Sequence, residues 1–535
     1  MADSSSNPAT RPLWQRALAI LRPSHRHTAF SATLLLMLSA FLSRIIGLVR
    51  DKCIAYLFGA GPKTDAYISA FNLPDQINYF LVGGTASIVF VTILSRYRER
   101  GEEAEGERAM AIILNAVLLV LGVAVVVAEV LAPLYTRAFF PGFSAAQAEL
   151  CTHMTRILLP GQLFFFAGGV LGAVLLVRKQ FAYQAVSPLV YNLAIIAGGL
   201  LLARLADISS LAIGATAGAV AGPFLLNAFG AYRAGVRYRP LLDLHHPALR
   251  EWFRLSIPLM IGVSVVTVDV WILSYFASHG SGEITHLNYA KRLFMAPMAI
   301  LGQAAGAASL PFFASIHGQQ RLREFAAAVN ESVTRIFAIS FLLSAWMMGL
   351  AFPLVDIIYR GGLFHRQDAS QTSLYFWIFA ISLGLWSAQS IYARAFYAAG
   401  DTLSPMIVGT VVVLLSLPVY TSLYHAAGPV GLAVASDLAI LVQTVALAVL
   451  LHRRGMVPLQ GLEYRELGRS LLAGIVSLGV IYLLRRLVPA AGRIQDLLLV
   501  GAATAVWLLV AGLLLRITGS ALPGQVLSRF RKSSV

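Results

Sequence analysis

Charge is what this sequence has least of. Only 12% of its 535 residues are Asp, Glu, Lys or Arg, about half the share of a soluble domain. Its two cysteines, Cys53 and Cys151, stand in no CxxC or Cys/His spacing, so no metal site or disulfide framework is implied. It contains no G-x-x-x-x-G-K-[ST] loop, no HExxH and no G-x-S-x-G. Nothing therefore points to ATP hydrolysis, zinc-peptidase chemistry or a serine nucleophile. It also lacks a long polar segment that could fold as a catalytic domain outside the apolar ones, and no small-residue cleavage site follows a short apolar region. The first apolar stretch is expected to stay in place as a membrane helix.

What is there is apolar. Hydrophobic residues make up 58% of the chain, and the mean hydropathy is +0.74. The apolar stretches have bilayer length and lack the alternation of a membrane barrel, so the expected class is all-α and polytopic. About fourteen spans can be drawn at that length. They fall at 29–49, 65–94, 110–131, 155–177, 185–203, 210–231, 257–277, 289–316, 336–359, 374–399, 405–424, 430–451, 471–488 and 497–515. Before them, residues 12–22 carry the pattern of a short amphipathic helix on a membrane surface.

The net charge of +16 would suggest nucleic acid in a soluble protein. Here it reads as a topology signal, with no nucleic-acid partner. With the N-terminus cytoplasmic, loops on that side hold about 25 Lys and Arg against about 10 on the other. Both termini are then inside. Arg485, Arg486 and Arg493 oppose the rule on one outer turn.

The chain looks duplicated. Ser187-Pro188 opens the fifth span and Ser404-Pro405 the eleventh, an offset that gives both halves the same orientation. The expected layout is a tail over 1–28, a six-helix lobe over 29–232, a second over 233–452, a helix pair over 453–516 and a tail over 517–535. Transporters use such repeats for rocking around a midplane site. The second span is long, carries Pro74 and Gly83-Gly84, and is polar along its first half, with Asn72, Asp75, Gln76 and Asn78. Such a helix is expected to bend and to line a cavity.

Arg44 lies well inside the first span. A cation at that depth costs roughly 2.5–3.5 kcal/mol on insertion scales and normally faces protein or water. Arg50 follows six residues on, about 120° around a continuous helix, so the two share a narrow pocket only if the helix bends at Gly47. Asp51 and Asp65 supply counter-charges. Lys291 and Arg292 stand near the start of the eighth span. Guanidinium groups bind phosphate oxygens bidentately, so Arg44, Arg50 and Arg292 are candidate ligands of a pyrophosphate. Asp269, in a strongly apolar span, is the candidate for coupling to an ion.

Four stretches now bear on family. Ser43-Arg44-Ile45-Ile46-Gly47-Leu48-Val49-Arg50-Asp51 is followed by Phe58-Gly59-Ala60-Gly61-Pro62-Lys63-Thr64-Asp65-Ala66-Tyr67 and by Phe71-Asn72-Leu73-Pro74-Asp75. With Tyr289-Ala290-Lys291-Arg292-Leu293, Pro297 and Leu310-Pro311, this resembles the MurJ (MviN) family of lipid II flippases. The resemblance implies the fold of the multidrug/oligosaccharidyl-lipid/polysaccharide exporters and a cationic cavity. It implies alternating access that carries undecaprenyl-pyrophosphate-linked disaccharide-pentapeptide to the outer leaflet of the bacterial inner membrane, and a lipid-tail groove near 471–515. It carries a cavity role onto Arg44, Arg50, Asp51, Asp65 and Arg292. Membrane lipids and cell-wall synthesis proteins are the implied partners. No cofactor is expected, with an ion gradient or the membrane potential as the drive.

The chain departs from that family pattern where an arginine pair and Glu-Gly usually follow Leu-Pro; it has Asn78, Tyr79, Gly83 and Gly84. Lys291 replaces the usual acid before the eighth-span arginine, Met295 replaces a Glu, and the eleventh span lacks the Asn and Asp of a sodium site. An exporter of another polyprenyl-linked saccharide is the alternative within the superfamily. A membrane-embedded glycosyltransferase is the alternative outside it.

Overall fold

The computed structural model describes residues 29–81, 85–264, 268–487 and 492–524. The surface helix expected at 12–22 and the Gly83-Gly84 pair lie outside these residues. Every described element is helical apart from an isolated bridge between Gly361 and Phe364. The helices are α1 (Ala29–Phe58), α2 (Pro62–Ala70), α3 (Asn72–Leu81), α4 (Thr85–Glu99), α5 (Glu103–Phe139), α6 (Ala145–Leu158), α7 (Gly161–Val177), α8 (Phe181–Ala206), α9 (Ser209–Arg233) and α10 (Pro247–Ser264). They continue as α11 (Val268–Ala277), α12 (Glu283–Gly318), α13 (Leu322–Gly349), α14 (Ala351–Tyr359), α15 (Arg366–Ile381), α16 (Leu383–Ala398), α17 (Leu403–Arg453), α18 (Tyr464–Leu487) and α19 (Arg493–Ile517).

Among the described residues nine helices are long and apolar enough to cross a membrane, or ten when α15 and α16, bent by 45°, count as one span. α17 holds two expected spans, because its 51 residues are broken at Gly428 (φ 58, ψ −142), directly before Pro429. At about 1.5 Å per residue each arm is long enough for one bilayer crossing. The second expected span is divided into α2, α3 and α4. The first break falls at Phe71, ahead of Pro74, which sits in the opening turn of α3 where a missing N–H costs nothing.

The chain divides into two compact units. One comprises residues 1–57 and 66–267; the other comprises 58–65 and 268–535. In the first, Trp252 of α10 is fully buried against Phe90 of α4 and Phe166 of α7, with ring centroids 5.8 and 6.4 Å away. α8 and α9 meet along a stripe of small residues. Ser210, Gly214, Gly218 and Gly222 recur every four positions and so share one face. A Cβ on Gly214 would come within 2.7 Å of the Ala194 carbonyl oxygen, and one on Gly198 within 2.6 Å of that of Ser210. Lipid gives helices no hydrophobic reason to associate, so such close backbone approach supplies the packing energy. α9 widens into a π-turn over Val220–Leu226, which contains Pro223, a residue that cannot donate to the helical ladder.

The second unit has its own core, in which Phe313 of α12, Phe325 and Val329 of α13, Phe396 of α16 and Leu447 of α17 are buried together. α18 packs on α13, where a Cβ on Gly474 would lie 2.9 Å from the Phe341 carbonyl oxygen. A second patch, with Leu350, Ile481 and Ala503 at its centre, joins the regions of α13, α18 and α19.

Candidate functional site

α1 runs through Gly47 without a break. The bend that would bring Arg44 and Arg50 to one face is absent, and the two arginines have different surroundings. Arg44 is exposed, among the exposed apolar side chains of Phe41, Leu42 and Ile45. Among the described residues no acid or carbonyl pairs with it. A bare guanidinium is costly against hydrocarbon, so this position calls for water or an anion.

Arg50 is committed. Its Nη1 donates to Asn192 Oδ1 at 2.9 Å, while Nε and Nη2 donate to Asp51 Oδ1 at 3.1 and 2.9 Å. Asp51 and Asn192 are both buried. Asn192 is itself held on α8, where its Nδ2 donates to the Pro188 carbonyl at 2.9 Å and lies 3.5 Å from Ser43 Oγ of α1. The amide therefore offers its oxygen to Arg50 and its nitrogen to the backbone, which satisfies both ends. Sequence reasoning missed Asn192. Its signal was an amide in the middle of an apolar span, four residues after Ser187-Pro188.

Asp65 is fully buried and does a different job from a cavity counter-charge. Its Oδ2 accepts from the Gly282 N–H at 2.6 Å, and its Oδ1 from the Thr285 N–H at 2.8 Å and the Thr285 hydroxyl at 2.6 Å. These donors belong to the N-terminus of α12, so Asp65 caps that helix from 220 positions away. The loop that delivers it is shaped by Gly59 (φ +68), where a Cβ would meet the Leu363 carbonyl oxygen at 2.6 Å. The left-handed Gly282 (φ +81) stands at the helix start.

Lys291 and Asp269 form an ion pair between α12 and α11. The Tyr420 hydroxyl of α17 donates to the other carboxylate oxygen of Asp269, and Ser436 of the same helix donates as well. Asp437 stands within electrostatic reach of both Asp269 and Lys291. Lys291 thus brings a cation to Asp269 from within the chain. Arg292 is half-buried on α12, and Asn78 is half-buried on α3. Of the expected site residues, the structure joins Arg50 to Asp51 and Lys291 to Asp269, assigns Asp65 to a helix cap and leaves Arg44 open. Tyr420 and Ser436 are further members that the sequence reading did not include.

Long apolar helices, a half-buried ion pair between two of them and an arginine on an apolar face with no partner among the described residues together define a multi-pass membrane protein. Known proteins place it more closely. The family model described as Lipid II flippase MurJ matches residues 54–502. The chain belongs to the lipid II flippase MurJ family, a family of transporters. It is 29% identical over 387 residues to the lipid II flippase MurJ of Burkholderia cenocepacia, covering 70% of this chain and 74% of that one. It is 26% identical over 454 residues to the probable lipid II flippase MurJ of Vibrio cholerae, covering 82% and 86%. In fold it is similar to a solved lipid II flippase MurJ in an inward closed conformation, with a TM-score of 0.76 and 21% identity over 90% of this chain and 99% of that one. An inward-facing multidrug resistance MATE family transporter of the MOP superfamily has a TM-score of 0.65 at 13% identity, over 84% of this chain and 98% of that one.

Proposed function

We propose that this protein moves lipid II, the undecaprenyl-pyrophosphate-linked disaccharide-pentapeptide, from the inner to the outer leaflet of the bacterial inner membrane. The reading is supported above all by membership of the flippase family across residues 54–502. Arg44 supports the chemistry, because an exposed guanidinium on an apolar helix face is a ready ligand for a pyrophosphate. In this reading Arg44 and Arg292 are each a candidate ligand of the pyrophosphate. Arg50 and Asp51 stiffen the helix that carries Arg44, and α18 with α19 accommodates the lipid tail. Alternating access is driven by an ion gradient or the membrane potential, with no ATPase of its own, and the Asp269–Lys291 pair is the element that senses the drive. Both termini are cytoplasmic, as the loop asymmetry in Lys and Arg argues. Cell-wall synthesis proteins are the partners this role implies.

The test is genetic. A strain depleted of its lipid II flippase should regain growth on expression of this chain, and should not regain it with Arg44→Ala at equal membrane levels. Asn78 and Lys291 favour one second reading, in which the headgroup is another glycan on a polyprenyl pyrophosphate. Reconstituted flipping that prefers such a lipid over lipid II, combined with failed complementation, would decide for that reading.

A further inference from the structure

Two carboxylic acids meet where α14 ends and α19 begins. Asp356, in α14, is 0% exposed, and Asp496, in the first turn of α19, is 1% exposed. Their carboxyl groups lie within interaction reach of each other, and Asp356 Oδ1, Asp356 Oδ2 and Asp496 Oδ1 are buried oxygens that accept no hydrogen bond from a donor among the described residues. Two carboxyl groups so placed can satisfy each other only through a hydrogen that one of them carries. Neither residue belongs to the site described above.

The surroundings decide how many charges this spot can hold. From the end of α14, Arg360 Nε approaches Asp356 Oδ1 at 3.0 Å. From the start of α15, Arg366 lies within electrostatic reach but is stacked over the Phe352 ring, 5.6 Å from its centroid. From α18, Arg485 is turned to the Gly349 carbonyl at 3.0 Å, while Arg486 is exposed. On α19 itself Arg493 is exposed, and α13 carries no charged residue after Arg335. One carboxylate is thus paired, by Arg360. The other has a buried oxygen, Asp496 Oδ1, with no hydrogen-bond donor. Like charges at this separation, away from water, do not both persist.

We infer that Asp356 and Asp496 form a proton-binding latch: a single proton, held between the two buried carboxyl groups, fastens the first turns of α19 to α14. Asp496 carries the proton and donates it to the Asp356 carboxylate, which Arg360 balances. When the proton leaves to water, two carboxylates face each other and the joint opens. Further along α19 the Trp346 indole donates to Thr504 Oγ1 at 2.9 Å and the Trp507 indole to the Leu342 carbonyl at 3.0 Å. Those bonds do not titrate, so only the start of the helix responds. With the termini cytoplasmic, as proposed, this end of the bundle faces the outer aqueous phase, and the latch reads the acidity there. The proton site itself does not depend on what the protein transports.

The sign follows from linkage. The proton is held in the docked state, so docking is strongest in acid and weakens as pH rises. The experiment uses the purified full chain in nanodiscs between pH 5 and 9. A nitroxide on Ile494→Cys, at a side chain 77% exposed, should gain mobility as pH rises, and the melting temperature should fall by a few degrees across the same interval. Asp496→Asn, whose amide donates to Asp356 without titrating, should keep the low-mobility state and the higher melting temperature throughout. Label mobility independent of pH in the otherwise unaltered chain would overturn the latch. So would an equal pH response in Asp496→Asn, or a response to calcium in place of pH. The label alone decides the matter if the asparagine variant does not fold. Flipping is not part of the readout, so the result stands apart from the proposed function.

Discussion

Arg50 on α1 and Asn192 on α8, 142 positions apart, are joined by a 2.9 Å hydrogen bond from guanidinium to amide oxygen. The bond separates two arginines that look equivalent in sequence. Arg50 is a fixed part of the wall, because Asp51 and Asn192 occupy all three of its nitrogens. Arg44 is exposed, with no partner among the described residues.

Arg44→Ala should therefore abolish flipping while the protein still inserts and folds, since among the described residues it has no partner to lose. A bidentate contact to an anionic group is worth about 1.5–3 kcal/mol, or roughly ten- to a hundredfold in affinity for a polyprenyl pyrophosphate. Arg44→Lys should recover part of that, because a point charge cannot reproduce the guanidinium fork. Binding measured on equal amounts of folded protein checks both variants, and full activity in the alanine variant would reduce Arg44 to a structural residue.

Asn192→Ala should act differently. It leaves Arg50 Nη1 short of a partner, while the Pro188 carbonyl keeps its helical N–H, at a cost of about 1–3 kcal/mol, read as a lower melting temperature. A double-mutant cycle with Arg50→Met should return a coupling energy well above zero, as residues in direct contact do. Additive losses would mean that the two side chains do not support one another.

For Asp65 the expected loss is one of stability. Removing the carboxylate strands three donors at the N-terminus of α12, and each buried orphan costs about 1–3 kcal/mol. Asp65→Asn should fall between wild type and Asp65→Ala, because its amide keeps one accepting oxygen. Thermal unfolding of the three proteins in one lipid composition gives the order directly.

The Asp269–Lys291 pair predicts an asymmetry between single and double changes. Lys291→Met leaves the half-buried Asp269 without its cation, and breaking such a pair from one side costs less than the about 3–5 kcal/mol of a fully buried one. Adding Asp269→Asn should restore most of the melting temperature. If the double variant is stable but no longer flips lipid, the pair serves transport and is dispensable for folding.

Topology is open to labelling by an impermeant thiol reagent in intact cells. The turns proposed to lie outside carry Gly280 and Gly361, but a Cβ on Gly280 would meet Glu283 at 2.5 Å and Gly361 has φ +141. The exposed neighbours His279 and Gln367 are better cysteine positions. Both should label from outside, against a background in which Cys53 and Cys151 are replaced. Protection of both would reverse the proposed orientation.

The membrane helices were legible because hydrophobicity over about 20 residues is a one-dimensional signal. The breaks were less so. The expected bend at Pro74 is displaced to Phe71, since proline is harmless in a first turn, and the possible bend at Gly47 is absent because glycine permits a kink without causing one. Arg44 and Arg50 could be picked out as intramembrane cations, but their division of labour could not, because it depends on Asn192 from a distant helix. Asp65 was noticed for its charge; its three donors belong to Gly282 and Thr285, and no local pattern announces such a cap. The small-residue stripe of α9 was fully visible as Ser210, Gly214, Gly218 and Gly222, and needed only a reading at four-residue spacing.

That stripe has a mechanical consequence. Two helices in backbone contact have little room to rotate or slide without collision, so α8 and α9 travel as one stiff plank. Whatever motion the first unit undergoes is then absorbed where the ladder is already irregular, and the π-turn at Val220–Leu226 is such a place. A bulky side chain at Gly214 would force the plank apart along its length, while a bulkier one at the exposed Leu201 would pass unnoticed. The protein's freedom to move is set here by the residues with the least to move.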